Sequence, residues 1–115
     1  MRKLFALVAL ALGCVPAAEK IALSADVRAT RDEVLRVVPK GTALAEAERK
    51  MRRNGFECSV KSGEAWVGVE GKRDYLYCDR ERSGFSLVSR RWQVAIFLEK
   101  ESVTEVDVQT GLIGP

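Results

Sequence analysis

The sequence predicts an α+β domain, with two N-terminal helices packed on an antiparallel sheet of about four strands. Three observations carry that reading. Up to residue 53 the apolar positions that follow the leader recur at spacings of three and four, the period of a helix. Beyond Asn54-Gly55 the period changes to two, and it recurs in 56–61, 74–80, 91–99 and 104–108. The chain has 115 residues, one domain's worth, and helices followed by strands rather than alternating with them make two segregated layers.

The first helix is expected from the capping-box spacing Thr30-Arg31-Asp32-Glu33, with Val34, Leu35 and Val38 as its apolar stripe. Pro39 ends it, because the proline ring drives Val38 out of the helical region, and Lys40-Gly41 makes the turn. Thr42 reads as the cap of a second helix, Ala43 to Arg53, with Leu44, Ala47 and Met51 on one face. On the other face Glu46 and Glu48 each stand four residues before a base, Lys50 and Arg52. Asn54-Gly55 stops this helix, leaving Phe56 to fold back on its last turn.

Phe56, Cys58 and Val60 then alternate with Glu57, Ser59 and Lys61 as a half-buried strand. The stretch 62–74, with glycines around Trp66, Val67 and Val69, reads equally as a wide loop or a weak strand. Asp74 to Arg80 is a strand with Leu76 and Cys78 on one face and Tyr75 and Tyr77 on the other. Residues 81–90 read as a long connection in which Phe85, Leu87 and Val88 need cover. Arg91 to Glu99 places Trp92, Val94, Ile96 and Leu98 on one side, and Lys100 to Ser102 turns the chain. In the last strand Thr104, Val106 and Val108 oppose Glu105 and Asp107, and the tail 111–115 is expected to be exposed. The polar alternates, Glu57, Lys61, Arg91, Gln93, Glu99, Glu105 and Asp107, imply a second sheet face open to water.

Ahead of the domain, residues 1–14 read as a secretory leader: Arg2 and Lys3, then the apolar run Leu4 to Leu12, then Gly13-Cys14. The run falls far short of the roughly 20 residues a spanning helix needs. The segment Leu10-Ala11-Leu12-Gly13-Cys14 resembles the lipobox of bacterial lipoproteins. That resemblance implies acylation of Cys14 and attachment to the membrane through this N-terminal lipid. Val15 in place of an aspartate then implies the outer membrane, on its periplasmic side. Cleavage before Ala18, with Val15 and Ala17 as the small-residue pair, would instead leave a soluble periplasmic or secreted protein. Residues 15–24 read as a short tether and 25–115 as the single domain.

Processing reshapes the composition. Removing Arg2 and Lys3 takes the cations from 19 to 17 against 16 acids, so the net charge falls from +3 to +1 and no nucleic-acid partner is expected. The chain has no histidine, which excludes Ser-His-Asp and Cys-His catalysis and histidine-bearing zinc sites within it. The carboxylate pairs Asp79/Glu81 and Glu105/Asp107 share strand faces as an acid-base pair would, but solvent-facing strands produce the same spacing. No enzyme activity, metal or cofactor is expected. Cys58 and Cys78 remain as an even pair in an oxidising compartment. They read either as a disulfide worth about 3 kcal/mol or as two buried thiols on adjacent strands. Trp66, Tyr75, Tyr77, Arg90 and Arg91 are residue types enriched at interface hot spots and are the candidate partner-binding set.

Residues 30 to 110, with the helix start at Gly41-Thr42 and the antiparallel meander, resemble the small outer-membrane-assembly lipoproteins of the SmpA/OmlA type and the related β-lactamase-inhibitor-protein-like fold. The resemblance implies a non-catalytic envelope protein that docks to another protein or to the cell wall. Val38-Pro39 through Gly41, Ala47 and Asn54-Gly55-Phe56 also resemble the opening of a PASTA domain, which implies cell-wall sensing. A soluble secreted inhibitor-type protein is the other alternative.

Overall fold

The computed structural model describes residues 15–83 and 88–114. The leader with Cys14, and Phe85 and Leu87, lie outside them. Two helices, α1 (Val27–Val37) and α2 (Leu44–Arg53), and four strands, β1 (Glu57–Trp66), β2 (Val69–Ser83), β3 (Ser89–Glu99) and β4 (Ser102–Ile113), make an α+β fold. The sheet is an antiparallel meander in the order β1-β2-β3-β4.

Helix α1 starts a turn earlier than the capping box predicts. Asp26 is its cap, accepting hydrogen bonds from the backbone N–H groups of Arg28 (3.0 Å) and Ala29 (3.2 Å). Thr30 is buried inside the helix, where its hydroxyl donates to the Ser24 carbonyl at 3.1 Å and accepts from the Ser24 N–H at 3.2 Å. Glu33, the other half of the expected box, accepts from the Ala22 N–H and pairs with Arg36. The Arg36 hydrogen bonds hold the Glu33 carboxyl below its ordinary range.

The segment read as a tether is laid on the domain. After a 3-10 turn at Ala17–Glu19, Ile21 enters the core at 3% exposure, because an isoleucine gains more from burial than from a swinging linker. Asn54 holds the backbone there: its side-chain amide accepts from the Ile21 N–H (2.8 Å) and donates to the Glu19 carbonyl (2.9 Å). Arg36 donates to the carbonyls of Ala18 and Lys20, and the Trp92 indole donates to that of Ser24 (2.8 Å).

Pro39 acts as expected, with Val38 released to φ −123° and ψ 75°. Thr42 does not cap α2. Its hydroxyl donates to the Pro39 carbonyl at 2.6 Å, and Ala43 occupies the cap position without a side-chain bond. The orphan N–H of Leu44 is met instead by the Glu101 carbonyl in the β3–β4 turn (2.9 Å). Gly41 and Thr42 exchange backbone bonds with Val103, so the start of α2 is sewn to the start of β4. At the other end Gly55 adopts φ +86° and the Phe56 N–H reaches the Met51 carbonyl, the predicted stop.

The helix-facing side of the sheet carries Leu76, Cys78, Trp92, Val94, Ile96, Leu98, Val106 and Val108 against Val34, Val37, Val38, Ala47, Met51 and Phe56. Val103 takes the inward place expected of Thr104. A register shift after Phe97 pairs Leu98 with Val103, and the Thr104 hydroxyl, set into the irregularity, donates to the Phe97 carbonyl. The two-residue turn Lys100-Glu101 has φ +52° and +63°, the left-handed pair that matches strand twist in a tight hairpin.

The second face is not simply open to water. Tyr75, Ala95 and Phe97 form a small second core on it, covered by Trp66, Val69 and Tyr77. The undecided stretch 62–74 supplies Trp66 and Val69 of that cover. β1 and β2 extend through it to a tight turn, and Ser62-Gly63 oppose Asp74 alone as a bulge. Gly63 takes φ +61° there, and its N–H donates to the Asp74 carboxylate at 2.8 Å. The bend carries Trp66 over the sheet until its indole donates to Asp107 on β4 at 2.6 Å, while Arg73 pairs with Glu105. The two ends of the expected connection 81–90 are strand, β2 running to Ser83 and β3 starting at Ser89. Of the tail, residues 111–113 pair as strand and are exposed.

Ile21→Ala should lower unfolding free energy by about 2–5 kcal/mol in urea denaturation; a change within about 0.5 kcal/mol would return residues 15–24 to the role of a tether.

Candidate functional site

Four of the five candidate partner-binding residues come together on the second sheet face, and Arg90 does not. Tyr75 and Tyr77 alternate with Leu76 and Cys78 on β2, and Arg91 shares their side on β3, whereas Arg90 pairs across from Arg82 and lies on the helix side. Trp66 packs edge-on to Tyr75 with ring centroids 5.7 Å apart and tilts over Tyr77 at 6.2 Å. Tyr75 meets Phe97 edge-on at 5.6 Å, and Arg73 lies over the Phe97 ring at 4.5 Å.

The polar ends of these side chains are spoken for within the molecule. The Tyr75 hydroxyl donates to the Ala65 carbonyl at 2.8 Å, and burial pushes its ionisation up. The Tyr77 hydroxyl donates to Asp79 and accepts from the Gln93 amide at 2.8 Å. Arg91 donates to Asp79 at 2.6 Å, a charge-assisted bond that raises the guanidinium further. Tyr75 is therefore core, and Trp66, Tyr77 and Arg91 present half-exposed surfaces fixed by an internal network. Each carboxylate of the two i,i+2 pairs has its own partner: Asp79 with Arg91, Glu81 with Ser89, Glu105 with Arg73 and Asp107 with Trp66. Among the described residues no three cysteine or carboxylate side chains converge as a metal site.

Cys58 and Cys78 lie directly opposite each other on β1 and β2, as free thiols with sulfurs 3.0 Å apart. A bonded pair would stand about 2.05 Å apart. The two thiols are unlike. Hydrogen bonding from Cys78 holds the half-exposed Cys58 below its ordinary value, helped by the Arg52 guanidinium, which also donates to the Cys58 carbonyl. Burial pushes the Cys78 thiol well above its own.

No protein-family model, characterised protein or solved structure matches this chain.

A site that sequence reasoning missed lies at the end of the helix-side face. Leu76 and Cys78 continue along β2 as Arg80 and Arg82, so the inward register passes from apolar residues to cations. With Lys20 and Arg53 they line a pocket of about 330 Å³ whose floor is Asn54-Gly55. Arg80 is pinned there: Nη1 donates to the Asn54 carbonyl at 2.6 Å, and the guanidinium lies so close to Gly55 that a Cβ would meet Nε at 3.2 Å. Burial, and then the charge of Arg82, lower the Arg80 guanidinium from its ordinary value. The available signal was two arginines continuing an apolar alternation.

In the reduced protein, iodoacetamide should reach Cys58 before Cys78. Because the thiolate reacts and the Cys58 value is lowered, its rate should rise at a lower pH than that of a free thiol. Cys78→Ala should move that midpoint upward; equal reactivity of both thiols with an ordinary midpoint would refute the asymmetry.

Proposed function

We propose that the chain is a non-enzymatic module of the cell envelope, exported and held by an acyl chain on Cys14, that docks to another envelope protein or to the cell wall. The observation that supports this best is the short run between the lipobox-like Gly13-Cys14 and the fixed fold. The segment from Ala18 to Ser24 is bonded to Arg36, Asn54 and Trp92, so only three residues, Val15 to Ala17, separate Cys14 from the first of those ties. An anchor at Cys14 would hold the two helices, as the N-terminal part of the domain, close to the lipid surface. Cations gather at that same end, since Val15 lines the pocket of Lys20, Arg53, Arg80 and Arg82. Electrostatic attraction of such a cluster to an anionic leaflet adds about 1 kcal/mol per base near the surface.

In this reading the docking surface is the outer part of the second face: Trp66, Tyr77 and Arg91 beside the exposed tip at Val67. Tyr75 supports it from below. A rigid aromatic platform loses little side-chain freedom on binding, which favours it as an anchor. Oxidation of Cys58 and Cys78 to a disulfide belongs to the same reading, as the sulfurs need to close by only about 1 Å.

Expressed in a Gram-negative host, the protein should take up palmitate label in a globomycin-sensitive way and lose it in Cys14→Ala; labelling absent from the wild type refutes the anchor. In the same exported protein, Cys58 and Cys78 should accept alkylating reagent only after reduction. Two thiols alkylated under native, non-reducing conditions would end the disulfide proposal.

A further inference from the structure

We propose that the arginine-lined end of the domain binds one anionic amphiphile, its phosphate against Arg80 and Arg82 and its acyl chain on the neighbouring apolar pocket. Arg82 is the boundary between the two halves. On one side is the pocket of Lys20, Arg53 and Arg80. On the other is a pocket of about 350 Å³, lined by Leu23, Trp92, Val88 and Leu112 with Arg82 and Arg90 at its edge. Each is of the size that takes a ligand, and the pair presents charge and apolar surface side by side.

The charge pattern calls for an anion. Arg82 and Arg90 stand directly opposite each other on adjacent strands, an arrangement of like charges that destabilises a sheet when nothing intervenes. Arg80 follows on the same face, half-buried, with a backbone carbonyl as its acceptor. Among the described residues no carboxylate lies within ion-pair distance of Lys20, Arg80, Arg82 or Arg90. The nearby Glu19 is taken up by Arg49 and Arg53, at 3.7 and 3.6 Å. A guanidinium carries five N–H donors in a planar fork suited to phosphate, and Arg80 spends one of them on Asn54. Gly55 and the Asn54 carbonyl hold that fork in place before any ligand arrives, which lowers the entropy lost on binding.

The apolar half is as specific. Arg82 lies over the Trp92 ring at 5.4 Å, so the phosphate-binding cation and the chain-binding surface are in contact. Leu112 is 66% exposed and Val88 37%, apolar surface beside the arginines that an acyl chain would cover. Inorganic phosphate would satisfy the arginines alone; a phospholipid of net negative charge would satisfy both halves without bringing a cation of its own to the arginines.

The test uses the full chain bearing Cys14→Ser, which carries no acyl group, so its result is independent of palmitate labelling. Calorimetric titration compares dihexanoylphosphatidylglycerol below its micelle concentration, the corresponding phosphatidylcholine, and inorganic phosphate. The phosphatidylglycerol should bind most tightly. Arg80→Gln and the exposed-site variant Arg82→Gln should each weaken it about tenfold or more, and Leu112→Ser should weaken the lipid while leaving phosphate unchanged. Thermal melts establish that each variant is folded, and Arg82→Gln carries the test if Arg80→Gln is not. The proposal is overturned if the lipid fails to bind, if phosphatidylcholine or free phosphate binds equally well, or if folded Arg82→Gln retains wild-type affinity.

Discussion

The side chain of Asn54 is the joint on which the remaining structure is assembled. It is buried at the C-terminal end of α2, accepts from the Ile21 N–H, and donates to the carbonyls of Glu19 and Lys50. Its own carbonyl receives Arg80 from β2. One residue thus binds the entering chain, the end of a helix and the second strand. A buried amide left with unmet groups is costly, whereas a fully met one is rigid and specific. Gly55, next in sequence, supplies the left-handed turn that lets the chain leave the helix without disturbing those bonds.

From that joint the two layers follow. β1 leaves Gly55 and the meander proceeds to its neighbours in order, so each strand finds its partner nearby in sequence. The far end is closed by a second tie, in which the β3–β4 turn gives the start of α2 its missing acceptor. Helix and sheet are therefore bonded by backbone at one end and through Asn54 and Arg80 at the other, with the apolar core between.

Much of this was legible from periodicity. The Pro39 and Gly55 stops, the inward series Trp92, Val94, Ile96, Leu98 and the opposition of Tyr75 and Tyr77 to Leu76 and Cys78 depend on local geometry, which residue order encodes directly. Three features depend on distant groups and were not legible. Thr30 has a cap's spacing, but Asp26 one turn earlier leaves it free to bond Ser24. Thr42 yields its capping role to Glu101, 59 positions on. The second core exists because the bulge at Ser62-Gly63 folds the hairpin over Tyr75 and Phe97, and a glycine-rich run does not announce which way it will bend. The candidate site divides likewise: Trp66, Tyr75, Tyr77 and Arg91 gather as alternation requires, while Arg90 falls on the opposite face by the same rule.

The bulge at Gly63 also governs how the molecule behaves toward its own copies. β1 is an edge strand, and a straight edge of ten residues offers unpaired backbone groups to any other exposed strand. The bend breaks that edge into two short runs at an angle and turns the outer one over the sheet. At this edge a neighbouring chain meets no long, flat template, and the charged side chains of Glu57, Lys61 and Glu64 line what is left. The fold that buries Phe97 thereby also guards the β1 edge against strand-to-strand self-association.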